Sequence, residues 1–185
     1  MRVSREQTAE NHEQIVKAAG RLFREHGFDG VSVDAIMQQA GLTHGGFYGH
    51  FKSKDDLAAQ AVERALAQGA ERQGKYSALS DVAANYLSPR HVADRANGCA
   101  IAALSGDIAR QGKGVRRGLT AHLRGQIDRY ARLLKEGTPA NKRKRAIATL
   151  AGMVGALTLA RAVDDPALSR EILAATRDVL GKTAL

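Results

Sequence analysis

A chain of 185 residues with 44% hydrophobic content is long enough for one large domain or two small ones, and it can bury a sizeable core. Its formal net charge of +9 points to nucleic acid, an anionic surface or an acidic partner. The single cysteine, Cys99, excludes an internal disulfide framework and fits a reducing cytosol.

Charge alone does not locate a nucleic-acid surface. Residues 1–54 hold 7 Lys/Arg against 6 Asp/Glu, whereas 55–136 hold 13 against 9 and 137–185 hold 8 against 4. The opening "MRVSREQTAENHEQ" lacks the apolar core of a signal peptide, so a cytoplasmic protein is expected. Aromatics make up only 4%, which calls for a core of small aliphatic side chains and suits closely packed helices. Helical periodicity runs through nearly every segment and none alternates as a strand, so the expected fold class is all-α.

The first helix is expected over 8–26, with Ile15, Ala18, Ala19, Leu22 and Phe23 as its apolar stripe and Gly27 as its end. Ser32 caps a second helix whose inward face is Val33, Ile36, Met37 and Ala40, stopped by Gly41. A third begins within "GLTHGGFYGHFKSK", residues 41–54. Two short helices joined by a glycine-containing turn are the mark of a helix-turn-helix. With Thr43 as N-cap, Leu42 and Phe47 form a hydrophobic staple, and Phe47 and Phe51, four apart, face a small core. Gly45 and Gly49 then point the opposite way, with His44 and Tyr48 on one flank and His50 on the other.

Glycine inside a helix costs about 1 kcal/mol against alanine, and close approach of bare backbone to a duplex is a reason to accept that cost. Lys52 and Lys54 follow where they can neutralise phosphates. A solvated turn with two stray histidines is the bland reading of so glycine-rich a stretch. The capped helix before it, the short turn and the Phe47–Phe51 pair tell against that reading. A P-loop is excluded because G-x-x-x-x-G-K-[ST] is absent. Ser53 and Asp56 then open a connecting helix over 54–72 in a capping-box pattern. All four phenylalanines lie in the first 51 residues, which predicts a separate aromatic core there.

The stretch "VSVDAIMQQAGLTHGGFYGHFKSKDDL" resembles the DNA-binding signature of the tetracycline-repressor (TetR/AcrR) family, above all in AGLT-x-G-x-FY-x-HF-x-SK-x-x-L; the likeness covers about residues 13–66. The resemblance implies an N-terminal three-helix helix-turn-helix domain over 1–53 and a C-terminal helical ligand-binding and dimerisation domain over 54–185. It implies a homodimer on a palindromic double-stranded DNA operator, acting as a ligand-responsive repressor released by a small-molecule or electrophile effector, without a cofactor. By that pattern Thr43, His44 and Gly45 meet bases or nearby backbone, Tyr48, His50 and Lys54 hold phosphates, and Ser32 adds a backbone contact. Gly46 and Gly49 stand where members often carry larger residues, which leaves His44 and Thr43, or DNA shape, to choose the bases.

Further helices are expected at 77–88, 98–110, 115–136, 140–163 and 166–181. The run 146–163 is apolar on nearly every side and should be buried all round; Thr149, Thr158 and Arg161 make it a poor membrane span. The last helix carries a cleaner stripe of Leu168, Ile172, Leu173, Thr176, Val179 and Leu180. Helices 140–163 and 166–181 are expected to pair with their symmetry mates as a four-helix dimer interface. "NKRKR", residues 141–145, sets positive charge against a helix N-terminus and reads as a solvated face.

Cys99 opens the helix "CAIAALSGDIAR", with Arg90, His91 and Arg95 nearby in sequence. A helix N-terminus and cations favour a reactive thiol, so Cys99 is a candidate effector contact or thiol sensor; its competing reading is a small packed core residue. The six histidines show no metal-ligand spacing with cysteine, and no acid–base constellation indicates an enzyme. Two rivals stand beside a regulator: a helical enzyme using Cys99 with His91 or His122, and an architectural DNA binder without operator preference. In a regulator, an effector among the helices of 77–136 would tilt the connecting helix. That would change the spacing of the two reading heads from the roughly 34–36 Å of successive major grooves.

Overall fold

The computed structural model describes residues 4–183, so the outer ends of the two expected domains, 1–3 and 184–185, lie outside the described residues. The first helix, α1 (Arg5–His26), starts three residues before the expected position because Ser4 supplies its cap, accepting the Gln7 amide at 3.1 Å. It ends at Gly27, whose φ of 74° is open to glycine. Ser32 caps α2 (Val33–Gln39), accepting the Ala35 amide. A 3-10 helix covers His44–Gly49, and α3 (Lys54–Gly74) is capped by Ser53.

There follow α4 (Leu79–Tyr86), α5 (Pro89–Ala93), α6 (Ala100–Ile108), α7 (Lys113–Leu133), α8 (Pro139–Ala162) and α9 (Pro166–Thr183). No strand occurs among the described residues. The helix expected over 77–88 is α4, two residues shorter at each end; after it Ser88 caps a separate turn whose first position is Pro89, which lacks an amide hydrogen.

Two apolar clusters hold the chain together. The first joins α1, α2, the 3-10 helix, α3 and α6, with Phe23, Phe28, Phe47 and Phe51 beside Ile101, Leu104 and Ile108. The aromatic core is therefore not separate, as its confinement to the first 51 residues suggested; α6 closes it from the far side of the chain. The second cluster joins α4, α7, α8 and α9 around Tyr130, Leu134, Met153 and Leu157. Cys99, Leu123 and Val154 touch both clusters.

The expectation that 146–163 is buried all round does not hold within one chain. By length and apolarity α8 could cross a bilayer, but it packs between α7 and α9 and keeps Ile147 and Leu159 exposed, the latter by 57%. On α9, Leu173 and Leu180 point inward, while Leu168 and Val179 of the same expected stripe face out. Seven residues span two helical turns, so one stripe of the last helix splits between an inner face and an unfilled outer one.

Candidate nucleic-acid interface

The geometry of 41–54 rests on two buried rings. Phe47 is 1% exposed and Phe51 2%, with centroids 5.6 Å apart, and both sit in the first core cluster. The turn before them is set by backbone bonds: the Gly41 amide donates to the Gln38 carbonyl at 3.0 Å and the Leu42 amide to that of Met37 at 2.9 Å. This double bond at a helix end requires a left-handed residue, and Gly41 has φ 73°.

The segment is a 3-10 helix rather than an α-helix, closed by the Gly46 amide on Thr43 (3.1 Å) and the His50 amide on Phe47 (2.9 Å). Three glycines in six residues favour no long helix, and six residues give few bonds to hold a wider one.

With the rings inward, the other side is bare. Gly45, Gly46 and Gly49 are all exposed, and an added methyl at Gly45 or Gly49 would meet nothing within 4 Å. Around this backbone stand Thr43 and His44, both exposed, and Tyr48, exposed by 72% and set edge-on to Phe47. Thr43 occupies the cap position without making a side-chain cap bond, which leaves its hydroxyl to solvent. Lys52 is exposed and Lys54, half-buried, opens α3. Ser32 is exposed, but its hydroxyl oxygen already caps α2.

Two side chains differ from the sequence expectation. His44 does not stand alone: its Nδ1 is held by the Asp34 carboxylate from the first turn of α2. The ring is thereby oriented through its Nδ1. The ten-residue separation of this pair follows no helical period, so only the packing of α2 against the 3-10 helix reveals it. His50 is half-buried, 6.0 Å from His12, which itself stacks on Phe51 at 4.5 Å. Burial, with the neighbouring His12, holds the His50 imidazole below its ordinary pKa, so near neutrality it can donate a hydrogen bond but not a charge.

His12 and its support were absent from the candidate residues. His12 Nε2 lies 2.9 Å from Gln60, Gln60 donates to Asp56 at 3.1 Å, and Asp56 accepts the Lys52 amide at 3.0 Å. The Lys52 amide, then Gln60, hold the Asp56 carboxyl below its usual range.

A second candidate site lies in the other half. A cavity of about 260 Å³ between α3 and the helices α4–α8 is lined by Arg72, Tyr86, His91, Cys99, His122 and Gln126, among others. The buried Tyr86 hydroxyl lies beside the Cys99 thiol, with no hydrogen-bond partner of normal geometry among the described residues, and burial pushes its pKa well above the ordinary value. Cys99 is half-buried at the cap position of α6. His91 is engaged on both nitrogens by main chain: Nδ1 donates to the Tyr86 carbonyl at 2.8 Å and Nε2 accepts the Cys99 amide at 3.1 Å. It therefore has no lone pair for the thiol, which removes the Cys99–His91 form of the expected pair. Burial lowers the pKa of His91 as well.

Residues 15–61 match the family described as bacterial regulatory proteins, tetR family. The HTH-type transcriptional regulator YerO of Bacillus subtilis is 41% identical over 54 residues, 29% of this chain and 19% of that protein. An HTH-type transcriptional regulator of Staphylococcus aureus is 36% identical over 62 residues, 34% of each chain. The matched part thus spans about a fifth to a third of these curated relatives. The crystal structure of a TetR-family transcriptional regulator from Agrobacterium tumefaciens shares the fold over 96% of this chain and 100% of that one, with a TM-score of 0.78 at 22% identity.

Proposed function

We propose that this chain, a member of the tetR family of bacterial regulatory proteins, is a cytoplasmic repressor that binds a palindromic operator as a homodimer and is released by a small effector. The observation that carries the reading is the outward glycine backbone of the 3-10 helix, anchored by Phe47 and Phe51 and bordered by His44 and Tyr48. A side chain-free surface flanked by donors lets backbone sit deep in a major groove. In this reading Thr43, Gly45 and the Nε2 of His44 meet base edges or adjacent sugar. Tyr48, His50, Lys54 and the exposed edge of Ser32 hold phosphates.

The effector occupies the 260 Å³ cavity, where the buried Tyr86 hydroxyl and Cys99 form part of the wall. Cys99 serves there as an effector contact or as the target of an electrophile. Because it touches both core clusters, a ligand at Cys99 pushes on the helices that orient the reading head. Operator binding that survives complete alkylation of Cys99 by N-ethylmaleimide would remove the thiol-sensing part.

The test of the reading is selection of bound sites from random duplex DNA. Wild type is expected to enrich an inverted repeat with half-sites about one helical turn apart. His44→Ala should relax preference at one or two positions of each half-site, each worth about 1–3 kcal/mol, while Tyr48→Phe weakens all sites alike. Salt-sensitive binding with no enriched repeat would leave an architectural DNA binder instead.

A further inference from the structure

A groove of about 310 Å³ runs between α1 and α3 and adjoins the cavity above at Ala65, Arg72 and Asn97. Lys17, Arg21, Arg24, Arg64 and Arg72 line it, with Glu71 as its one lining carboxylate. Arg64 is paired with Glu13, but Lys17, Arg21, Arg24 and Arg72 form no ion pair among the described residues. Arg24 is the unusual member. It is buried, and its Nε donates to the Ala96 carbonyl at 2.6 Å, so its guanidinium is fixed in place against the loop before α6. Burial first, then repulsion from Arg72 and Arg21, lowers its pKa to about 10. A folded chain that holds like charges together, one of them desolvated, is short of negative charge at that spot.

We propose that this groove binds a small polyvalent oxyanion, held by Arg21, Arg24 and Arg72 with Lys17 beside them. Two or more charges are called for because four cations without an ion pair among the described residues face one lining carboxylate, Glu71, with Asp94 acting on Arg24 and Arg72 from the loop before α6. Guanidinium groups select phosphate or carboxylate oxygens through paired hydrogen bonds. The anion is not the backbone of a bound duplex: Arg72 lies eighteen residues beyond Lys54, about 27 Å along the α3 axis at 1.5 Å per residue. The site ties α1 to α3 and to the loop carrying Ala96, and it shares Arg72 and Asn97 with the neighbouring cavity. An influence on DNA binding would rest on the regulator reading; the binding itself does not.

The experiment is calorimetric titration of the full chain, without DNA, with pyrophosphate and separately with citrate at constant ionic strength. Saturable binding of at least one is expected, weakened about tenfold or more by Arg21→Gln and by Arg72→Gln, both at exposed positions. The exposed Arg117→Gln on α7 should leave it unchanged. Binding of pyrophosphate alone assigns a phosphoryl ligand, and binding of citrate alone or of both assigns a carboxylate-tolerant one. No saturable binding of either anion, or equal weakening by all three substitutions in chains with wild-type melting curves, would overturn the site.

Discussion

At the scale of single residues, Gly45 and Gly49 separate a demand of folding from a demand of binding. Neither has positive φ, and neither would bring a methyl within 4 Å of another group in the free protein. Gly45→Ala and Gly49→Ala should therefore leave stability unchanged or raise it by up to about 1 kcal/mol, through the unfolded chain. If the bare backbone meets a duplex, the same methyl stands where DNA must approach, and affinity should fall at least about tenfold, or 1.4 kcal/mol. Thermal unfolding and fluorescence anisotropy on the selected operator measure the two effects; undiminished affinity in both variants would show that glycine is not needed for close approach. Asp34 belongs to this scale too, since it decides which nitrogen His44 presents.

At the scale of elements, the angle between α2 and the 3-10 helix depends on one left-handed residue. Gly41 has φ 73° and open space around it, so an alanine there would clash with nothing and still be strained. Gly41→Ala is expected to cost about 1–2 kcal/mol of stability, the penalty of a left-handed conformation for an L-residue. Chemical denaturation should show this as a lower midpoint with unchanged slope. Paired with Gly45→Ala, it gives two methyls one turn apart with opposite effects, one on folding and one on binding. The staple of Leu42 against Met37 and Phe47 gives that angle an apolar footing, as all three pack in or against the first cluster.

At the scale of the whole molecule, the outer faces of α8 and α9 keep large apolar side chains exposed. Leu159 is exposed by 57%, with Ile147 and Leu168 exposed beside it. In the proposed homodimer these become the buried centre of a four-helix interface. Ile147→Glu with Leu159→Glu should then convert a dimer to a monomer in sedimentation at micromolar concentration and abolish operator binding. A wild-type monomer would refute the interface.

Acid tests the whole fold in another way. Burial is the first cause of the lowered pKa of His50, His91 and His122, all below their ordinary 6.5. Below about pH 6.5 the unfolded chain binds more protons than the folded one, so the stability these groups leave intact at higher pH declines as pH falls. The melting temperature should drop between about pH 7.5 and pH 5.5; a rise would contradict the burial of these rings.

What the sequence by itself determined is local: helix ends at Gly27 and Gly41, caps at Ser32 and Ser53, and the inward Phe47–Phe51 pair that turns Gly45 and Gly49 outward. These follow from residue chemistry within one or two helical turns, where chain connectivity already dictates the neighbours. Only the tertiary structure decided the rest. Asp34 reaches His44, His12 lies over His50, Arg24 reaches Ala96, α6 closes the aromatic core, and Cys99 is set between two clusters with His91 already engaged. Such contacts join residues that no helical period relates. They exist because packing the helices into two cores leaves each side chain one set of neighbours, and that set is a property of the assembled chain.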